Sequence, residues 1–305
     1  MLIQILLLAF SSLLLWKGSD WLVESAARIG RSFNLSDLTI GLTVVAFGTS
    51  APEFAVTINA VLDSKPDMSV GNIVGSNIFN LGFILGGCAA IRSLETTKQM
   101  VYRDGGLLVA TSLLLAFFMR DYSLDRHEGA ILLLGLVLYV GYLFTSSKEP
   151  QEDVPKGKAT WKDFPVLLGG LVAVVAGGHF LVESASALAL MWGIKEWVVA
   201  VTVVAAGTSA PEFAISLTAA LKGHHGISIG NLIGSDLFNL LGVLGLAGIL
   251  GPLSVSPASL GSVYLLVGMC VITVAFMRTG WIISRAEGIT LIVIGVIRWA
   301  MDFLG

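Results

Sequence analysis

Two glutamates lie inside otherwise apolar segments, each at the end of the same short motif. The motif Gly-Thr-Ser-Ala-Pro-Glu ends at Glu53 and again at Glu212. A carboxylate at the middle of a bilayer costs roughly 2.5–3.5 kcal/mol even on the translocon scale, so it implies a function or a partner. The same segments contain no lysine or arginine that could neutralise it. The alternative is a purely structural role, in which glycine and proline only kink packed helices and the glutamates pair with other residues of the fold.

A proline in each motif breaks the helix that carries the glutamate. Pro52 has no N–H to donate to the carbonyl of Gly48, and Pro211 has the same relation to Gly207. At membrane depth, such irregular backbone is tolerated only where it is buried in protein or faces a water-filled cavity. Freed carbonyls, hydroxyls and one carboxylate per copy are the oxygen ligands that Ca²⁺ prefers. Two carboxylates would neutralise one divalent ion.

A second motif, Gly-Asn-x-x-Gly-Ser-x-x-Phe-Asn, occupies residues 71–80 and 230–239. Its two glycines are four residues apart, which permits close contact between helices. Ser76 and Asn80 are also four apart, so they share one face of a helix. We expect this face to complete the oxygen shell from the opposite side. In the second copy, the equivalent residues are Ser235 and Asn239.

The motifs belong to a tandem duplication. Every match has the same offset of 159 residues, which is very unlikely by chance. The matched segments are 22–26 with 181–185, 41–54 with 200–213, and 71–80 with 230–239. We therefore divide the chain into a first repeat at 1–146, a linker at 147–162 and a second repeat at 163–305.

The composition is that of a membrane protein. Apolar residues make up 55% of the chain, charged residues 13%, and the mean hydropathy is +0.85, whereas soluble domains carry about 25% charged residues. The two cysteines, Cys88 and Cys270, lie in apolar runs and are expected to be packing residues. Five spans are predicted in each copy: 1–30, 37–62, 69–91, 103–119, 127–146, then 163–190, 196–221, 228–250, 259–277 and 284–303.

An odd number of spans turns the second copy upside down relative to the first. The predicted fold class is thus an all-α membrane protein with ten transmembrane helices in two inverted five-helix repeats, and the site between them. Lysine and arginine number twelve in the loops on one side and four on the other. By the positive-inside rule, both termini face outside and the linker is cytoplasmic.

Together the repeats resemble the sodium/calcium exchanger branch of the cation/calcium exchanger superfamily, of prokaryotic type, over the whole chain. The resemblance implies four cation sites in a diamond and exchange of about three Na⁺ for one Ca²⁺ by alternating access, as the first and sixth helices slide. It gives Glu53 and Glu212 the central role, binding Ca²⁺ and Na⁺ in turn. The other implied ligands are backbone carbonyls of Thr49, Thr208, Ala46 and Ala205, hydroxyls of Ser50, Ser209, Ser76 and Ser235 for Na⁺, and Asn80 and Asn239.

Two residues depart from the family pattern. Potassium-dependent relatives carry Asp where this chain has Asn239, which predicts K⁺ independence. Conversely, Asp236 replaces the residue that is Asn77 in the first copy, one helical turn before Asn239. It is included among the candidate metal ligands, because its carboxylate could point towards the site. The alternative, which the pattern favours slightly, is that it caps a helix start or faces solvent.

Other functions fit the sequence less well. Exchange of H⁺ or another cation for Ca²⁺ on the same scaffold stays open, although the flanking serines favour Na⁺. An intramembrane serine protease would need a base near Ser50 or Ser209, and His179 is the only histidine in the interior of a predicted span. A channel is disfavoured by the paired broken helices. We expect no enzyme activity, no cofactor and no nucleic-acid partner. The expected protein is a monomer in the lipid bilayer of the cell (inner) membrane, with Na⁺ and Ca²⁺ as transported ions.

Overall fold

The computed structural model describes residues 1–33, 35–146, 159–193 and 205–304. Helices dominate these residues, with four two-residue strands between them. The helices are α1 (Leu2–Ser32), α2 (Asp37–Thr49), α3 (Ala51–Leu62), α4 (Pro66–Ile91), α5 (Gln99–Asp121), α6 (Arg126–Ser146), α7 (Asp163–Met191), α8 (Ala205–Gly207), α9 (Ala210–Lys222), α10 (His225–Leu250), α11 (Pro257–Arg278) and α12 (Arg285–Leu304). The strands are β1 (Leu94–Glu95), β2 (Ser123–Leu124), β3 (Leu253–Ser254) and β4 (Ile282–Ile283).

The helices follow the predicted spans to within a few residues. The described chain has seven helices long and apolar enough to cross a membrane, or eight if the bent pair α2 and α3 forms one span. α12 is not among them because every 18-residue stretch of it contains Glu287, Arg298 and Asp302, which are three charged residues. The predicted span 196–221 lies partly outside the described residues, which resume in α8 and α9. α4 begins earlier than predicted, because Pro66 suits a first helical turn, where no N–H is needed.

Two helices form the centre of the protein. The most apolar 18-residue windows of α4 and α10 are 72% and 83% buried, compared with 22% in α1, α6 and α7. The outer helices instead expose large apolar side chains, such as Phe10 and Leu138. Such a surface suits lipid rather than water. Both cysteines are buried and free, as the sequence predicts.

The contacts between the two copies occur in related pairs. β1 pairs with β4 and β2 pairs with β3, both antiparallel. A shift of 159 residues turns β1 into β3 and β2 into β4, so it converts one pair into the other. A Cβ on Gly86 would lie 2.8 Å from the Gly288 carbonyl, and one on Gly129 would lie 2.7 Å from the Gly245 carbonyl. The same shift relates these two close approaches.

The first helices of the two copies run antiparallel. In the contact between α1 and α7, Gly177 lies beside Leu15, whereas Gly170 lies beside Leu22. Residue numbers therefore rise along α1 as they fall along α7. Because α1 and α7 are antiparallel, the equivalent ends of these two helices lie at opposite ends of the helix pair.

Candidate cation-binding site

Each glutamate motif lies at a break between helices. Ser50 separates α2 from α3, whose axes differ by 48°. Its backbone (φ −77°, ψ 4°) closely matches that of Ser209 (φ −89°, ψ 10°), which precedes α9. Pro52 and Pro211 then occupy the first turns of α3 and α9. The breaks place Glu53 and Glu212 in the first turn of the helix that follows, with a serine and a threonine immediately before it.

Both glutamates are buried and are reached by hydroxyl groups. Glu53 is 1% exposed and Glu212 is fully buried. Ser209 of the second copy donates to Glu53 Oε1 at 3.2 Å, and Thr208 also hydrogen-bonds this carboxylate. Ser235 donates to Glu212 Oε1 at 3.3 Å. The structure therefore brings residues from both copies to the first glutamate.

Further hydroxyl contacts join the two halves of the site. The hydroxyls of Ser50 and Ser235 are 2.8 Å apart, although their residues are 185 positions apart in the chain. The Thr49 hydroxyl lies 3.2 Å from Asn231 Oδ1, across the boundary between the two copies. Predicted ligands from the first copy thus meet those of the second within one buried cluster.

Two asparagines that the sequence analysis left without a role hold the helices after each break. Asn72 Nδ2 donates to Thr57 Oγ1 at 2.9 Å and to the Glu53 carbonyl at 3.3 Å. Asn231 repeats this in the second copy, donating to Ser216 Oγ at 2.9 Å and to the Glu212 carbonyl at 3.4 Å. The sequence does contain a signal for these contacts. At the 159-residue offset, the asparagine and the glutamate recur unchanged, and Thr57 recurs as a serine that keeps the hydroxyl.

At the crossing of α4 and α10, amides and one carboxylate face each other. Asn80 Nδ2 donates to Asp236 Oδ1 at 3.0 Å, and Asn239 Nδ2 donates to Asn77 Oδ1 at 3.0 Å. These two bonds are also related by the repeat. Asp236 is fully buried in the interior of α10, so the prediction that it caps a helix start or faces solvent is wrong. A stretch of π-helix begins at Asn80, and another begins at Phe238.

Five buried oxygens in this region accept no hydrogen bond from the described residues. They are Glu53 Oε2, Glu212 Oε2, Asp236 Oδ2, Asn80 Oδ1 and Asn239 Oδ1. Such oxygens are costly to bury alone, and all five are acceptors, as the ligands of a hard cation must be. Within the described ranges, no three His, Cys, Asp or Glu residues are grouped to hold a metal. An ion here would therefore need amide and hydroxyl oxygens as well as carboxylates.

Three predicted ligands, Ser76, Ala46 and Ala205, are in surroundings that differ from those of their equivalents in the other copy. Ser76 donates to the Ile73 carbonyl of its own helix at 3.1 Å. The Ala46 carbonyl accepts the Ser50 amide at 3.1 Å and lies 3.2 Å from Thr49 Oγ1, so one helical bond already uses it. Ala205 begins the short helix α8. Neither Ser76 nor Ala46 hydrogen-bonds a glutamate in the part of the chain that the structure describes.

A cavity of about 580 Å³ lies beside the site, between α1, α4, α7 and α9. Its wall includes Ala206 and Ala210, which flank Thr208 and Ser209 in the chain, and it is mainly apolar. Asp20 and Lys222 also line it and supply its charged groups. The cavity is large enough for several water molecules.

The buried oxygen cluster and the long apolar helices together define a membrane carrier of cations. The family model described as "Sodium/calcium exchanger protein" matches residues 3–146 and 162–297. The chain belongs to this family, whose members are transmembrane antiporters.

The similar proteins agree along almost the full length. The sodium/calcium exchanger MaX1 of Methanosarcina acetivorans is 31% identical, with 95% of each chain covered. The inner membrane protein YrbG of Escherichia coli is 30% identical, covering 94% of this chain and 92% of the relative. A solved structure of the sodium-calcium exchanger NCX_Mj, soaked with zero Na⁺ and Ca²⁺, superposes with a TM-score of 0.88 at 28% identity, covering 100% of this chain and 99% of that chain.

Proposed function

We propose that this protein is a secondary antiporter that exchanges Na⁺ for Ca²⁺ by alternating access, with about three Na⁺ per Ca²⁺ and no need for K⁺. The observation that carries the proposal is the pair of buried glutamates, each with one oxygen that accepts no hydrogen bond from the described residues. The family membership and the similarity to MaX1 and NCX_Mj, both sodium/calcium exchangers by name, support the choice of ions.

In this proposal, Glu53 and Glu212 bind Ca²⁺ between them. Their two charges balance one divalent ion, and the hydrogen bonds that reach them come from hydroxyls rather than from lysine or arginine. Burial strengthens this preference, since an isolated carboxylate charge in low dielectric is strongly unfavourable. The remaining Ca²⁺ ligands are the Thr49 and Thr208 carbonyls and the amide oxygens of Asn80 and Asn239.

Na⁺ takes the same glutamates and the flanking oxygens. We assign the flanking positions to the serines and alanines that the sequence predicts: Ser50, Ser209, Ser76, Ser235, Ala46 and Ala205. The 2.8 Å contact between Ser50 and Ser235 supports one such position, because it brings hydroxyls of both copies next to Glu212. Asn239 supplies no charge, which supports exchange without K⁺.

The proposed architecture has ten transmembrane helices in two inverted repeats. The antiparallel course of α1 and α7 and the exchanged pairs β1 with β4 and β2 with β3 support it. α1 and α7 lie outside the central helices and are the elements proposed to slide between states. We place the protein in the cell membrane as a monomer, with both termini outside and the linker at 147–162 in the cytoplasm.

The test is radioactive Ca²⁺ uptake into proteoliposomes loaded with Na⁺ and diluted into medium without Na⁺ or K⁺. We expect uptake above that of protein-free vesicles, and none when Na⁺ is equal on both sides. Uptake that requires added K⁺ would contradict the proposed K⁺ independence. Uptake driven only by a proton gradient would replace Na⁺ by H⁺ as the coupling ion.

A further inference from the structure

A short polar strip joins α1 to α9 at one end of the cavity. Lys222 of α9 lies 2.5 Å from Glu24 Oε1 and also pairs with Asp20, and both carboxylates belong to α1. One helical turn before Lys222, the Thr218 hydroxyl lies 2.8 Å from the hydroxyl of Ser19. All of these residues except Glu24 line the cavity. Two separate polar contacts therefore hold the same pair of helices together along the cavity wall.

The cavity extends from this strip to the cation site. Its wall includes Ala210, the residue after Ser209, and Lys222. Between these two residues α9 rises about 18 Å. The Lys222 side chain is 27% exposed, so it lies where the cavity meets the surface of the protein. The contacts of Lys222 thus separate the cavity, and the predicted ligands beside it, from this end of the helices.

The equivalent end of the molecule lacks both contacts. Ser19 corresponds to Gly178 in the second copy, which has no hydroxyl. Lys222 corresponds to Asp63 in the first copy, which has the opposite charge and pairs with its neighbour Lys65. The repeated fold forms at that end without a polar strip between the helices. Its presence at the other end therefore points to a task beyond folding.

We propose that Asp20, Glu24 and Lys222 form an ionic latch that holds the cavity closed at this end and opens when α1 slides along α9. This inference rests on the proposed function, in which α1 and α7 slide against the central helices. On the proposed topology, the latch faces the cytoplasm. An exposed ion pair shifts an equilibrium by about fivefold at most. The latch therefore biases the carrier towards the state closed at this end without locking it there.

The chain offers two variants that break the latch and one matched control. Lys222→Gln removes the charge on α9, and Asp20→Asn removes a charge on α1, so both should have the same effect. Lys65→Gln is the same substitution as Lys222→Gln at the other end of the molecule. It breaks the pair between Lys65 and Asp63, which lies within one turn of the chain and joins no moving helix to a fixed one.

The experiment measures how fast a cysteine in the cavity wall reacts with a charged methanethiosulfonate. Ala214→Cys places this thiol in the wall, away from the latch, and the native Cys88 and Cys270 are buried. All proteins carry Ala214→Cys and are held in lipid nanodiscs with Ca²⁺, where both faces are accessible. We expect Lys222→Gln and Asp20→Asn to raise the reaction rate about threefold to fivefold. Lys65→Gln should leave it unchanged.

Salt and a charge exchange test the same contact independently. Raising choline chloride from about 0.05 M to about 0.5 M should speed the reaction about twofold or more in the parent protein, because salt screens exposed charges. The rate in Lys222→Gln should not respond, since its latch is already broken. The double variant Asp20→Lys with Lys222→Asp restores the pair with its charges exchanged. We expect its rate to return to within about twofold of the parent protein.

The outcomes keep the latch and the proposed function apart. An unchanged reaction rate in Lys222→Gln and Asp20→Asn would overturn the latch. Equal acceleration in Lys65→Gln, or a double variant as fast as Lys222→Gln, would also overturn it, because the loss of a charge would then matter rather than the contact with α1. Ca²⁺ uptake driven by Na⁺ in the parent protein tests the proposed function separately. Its absence would overturn that function, whereas the cysteine reports the position of α1 in either case.

Discussion

The centre of the molecule repeats itself closely, whereas its two ends do not. At the centre, Asn72 and Asn231 make equivalent bonds to the glutamate-bearing helices. At one end, Lys222 of α9 is paired with Asp20 of α1 and lies 2.5 Å from Glu24. The equivalents of these three residues are Asp63, His179 and Glu183.

These equivalents are arranged differently. Asp63 and His179 have side chains that are 64% and 75% exposed, and His179 lies 4.0 Å from Glu183 on its own helix. Asp63 pairs instead with the neighbouring Lys65 at 3.2 Å. The ion pair that joins a first helix to the opposite copy is thus present at one end and is replaced by local pairs at the other.

A second ion pair has the same asymmetry. Arg28 of α1 binds Asp163 at the start of α7, with 2.7 Å between Nε and Oδ1. The equivalent positions hold Ala187 and Gln4, which are uncharged. In the proposed inverted arrangement, both copies supply ligands to the site, while each end of the molecule faces a different side of the membrane. On this proposal, the repeat keeps the chemistry of the centre, and the two ends are held by different ion pairs.

The largest expected effect is the loss of either glutamate. Glu53→Gln and Glu212→Gln should each reduce Ca²⁺ transport at least about 100-fold, on the order of 3 kcal/mol, because each removes a buried charge that binds Ca²⁺ in the proposed site. Ca²⁺ uptake by proteoliposomes measures the change, and Glu183→Gln, at an exposed position, is the control. A difference of more than about tenfold between the two variants would show that the centre is less symmetric than its contacts.

The next effect concerns close packing at the centre. A Cβ on Gly230 would lie 2.8 Å from the Leu38 carbonyl and 3.2 Å from the Leu42 nitrogen, both backbone atoms of α2. Gly230→Ala should therefore lower the free energy of unfolding by about 1–3 kcal/mol, as overpacking does. Thermal unfolding in detergent measures it.

The control for this substitution is Gly141→Ala. A Cβ there would meet no atom within 4 Å among the described residues. We expect a change below about 1 kcal/mol, since only helix propensity is altered. Equal effects in the two variants would contradict the view that α2 and α10 are held together by backbone approach.

Much of this arrangement follows from the sequence. The 159-residue repeat predicts the paired motifs, and apolar runs predict the helices to within a few residues because length and hydropathy define a span. The position of Asp236 could not be predicted, because facing Asn80 depends on how α10 is rotated against α4. The ion pair of Lys222 was also beyond prediction, since its partners lie about 200 residues away in the chain.

A smaller effect is expected for the ion pair between Arg28 and Asp163, whose carboxylate is better buried than those paired with Lys222. Asp163 accepts bonds from Arg28 and from the Thr160 amide, and its side chain is 9% exposed. Asp163→Asn should destabilise the protein by about 1–2 kcal/mol, because Arg28 then loses the shorter of its two carboxylate contacts and keeps only Glu24, at 3.6 Å. Thermal unfolding measures this loss. Gln4→Ala, at the equivalent position, should have no such effect, and equal losses would remove the asymmetry that we describe.

The smallest effect is expected at Lys222. Its partners Asp20 and Glu24 have side chains 30% and 47% exposed, so Lys222→Gln should cost less than about 1 kcal/mol. The loss should vanish at high salt, where exposed pairs are screened. Unfolding temperatures at low and high salt measure both. A salt-independent effect of Lys222→Gln would contradict the ion-pair account. In the converse variant, Asp63→Lys, we expect a new ion pair with Glu183, which would join α3 to α7 at the other end of the molecule.

The two small strand pairs carry a consequence for how the protein is assembled. Each pair takes one strand from each copy, so neither half of the polypeptide can complete its own loop contacts during synthesis. The first copy, α1–α6, can form these strand pairs only after the later helices are inserted. By the same logic, the covalent connection between the copies is not what holds them together. Two fragments made separately, divided within 147–162, should find each other in the bilayer and rebuild a working exchanger.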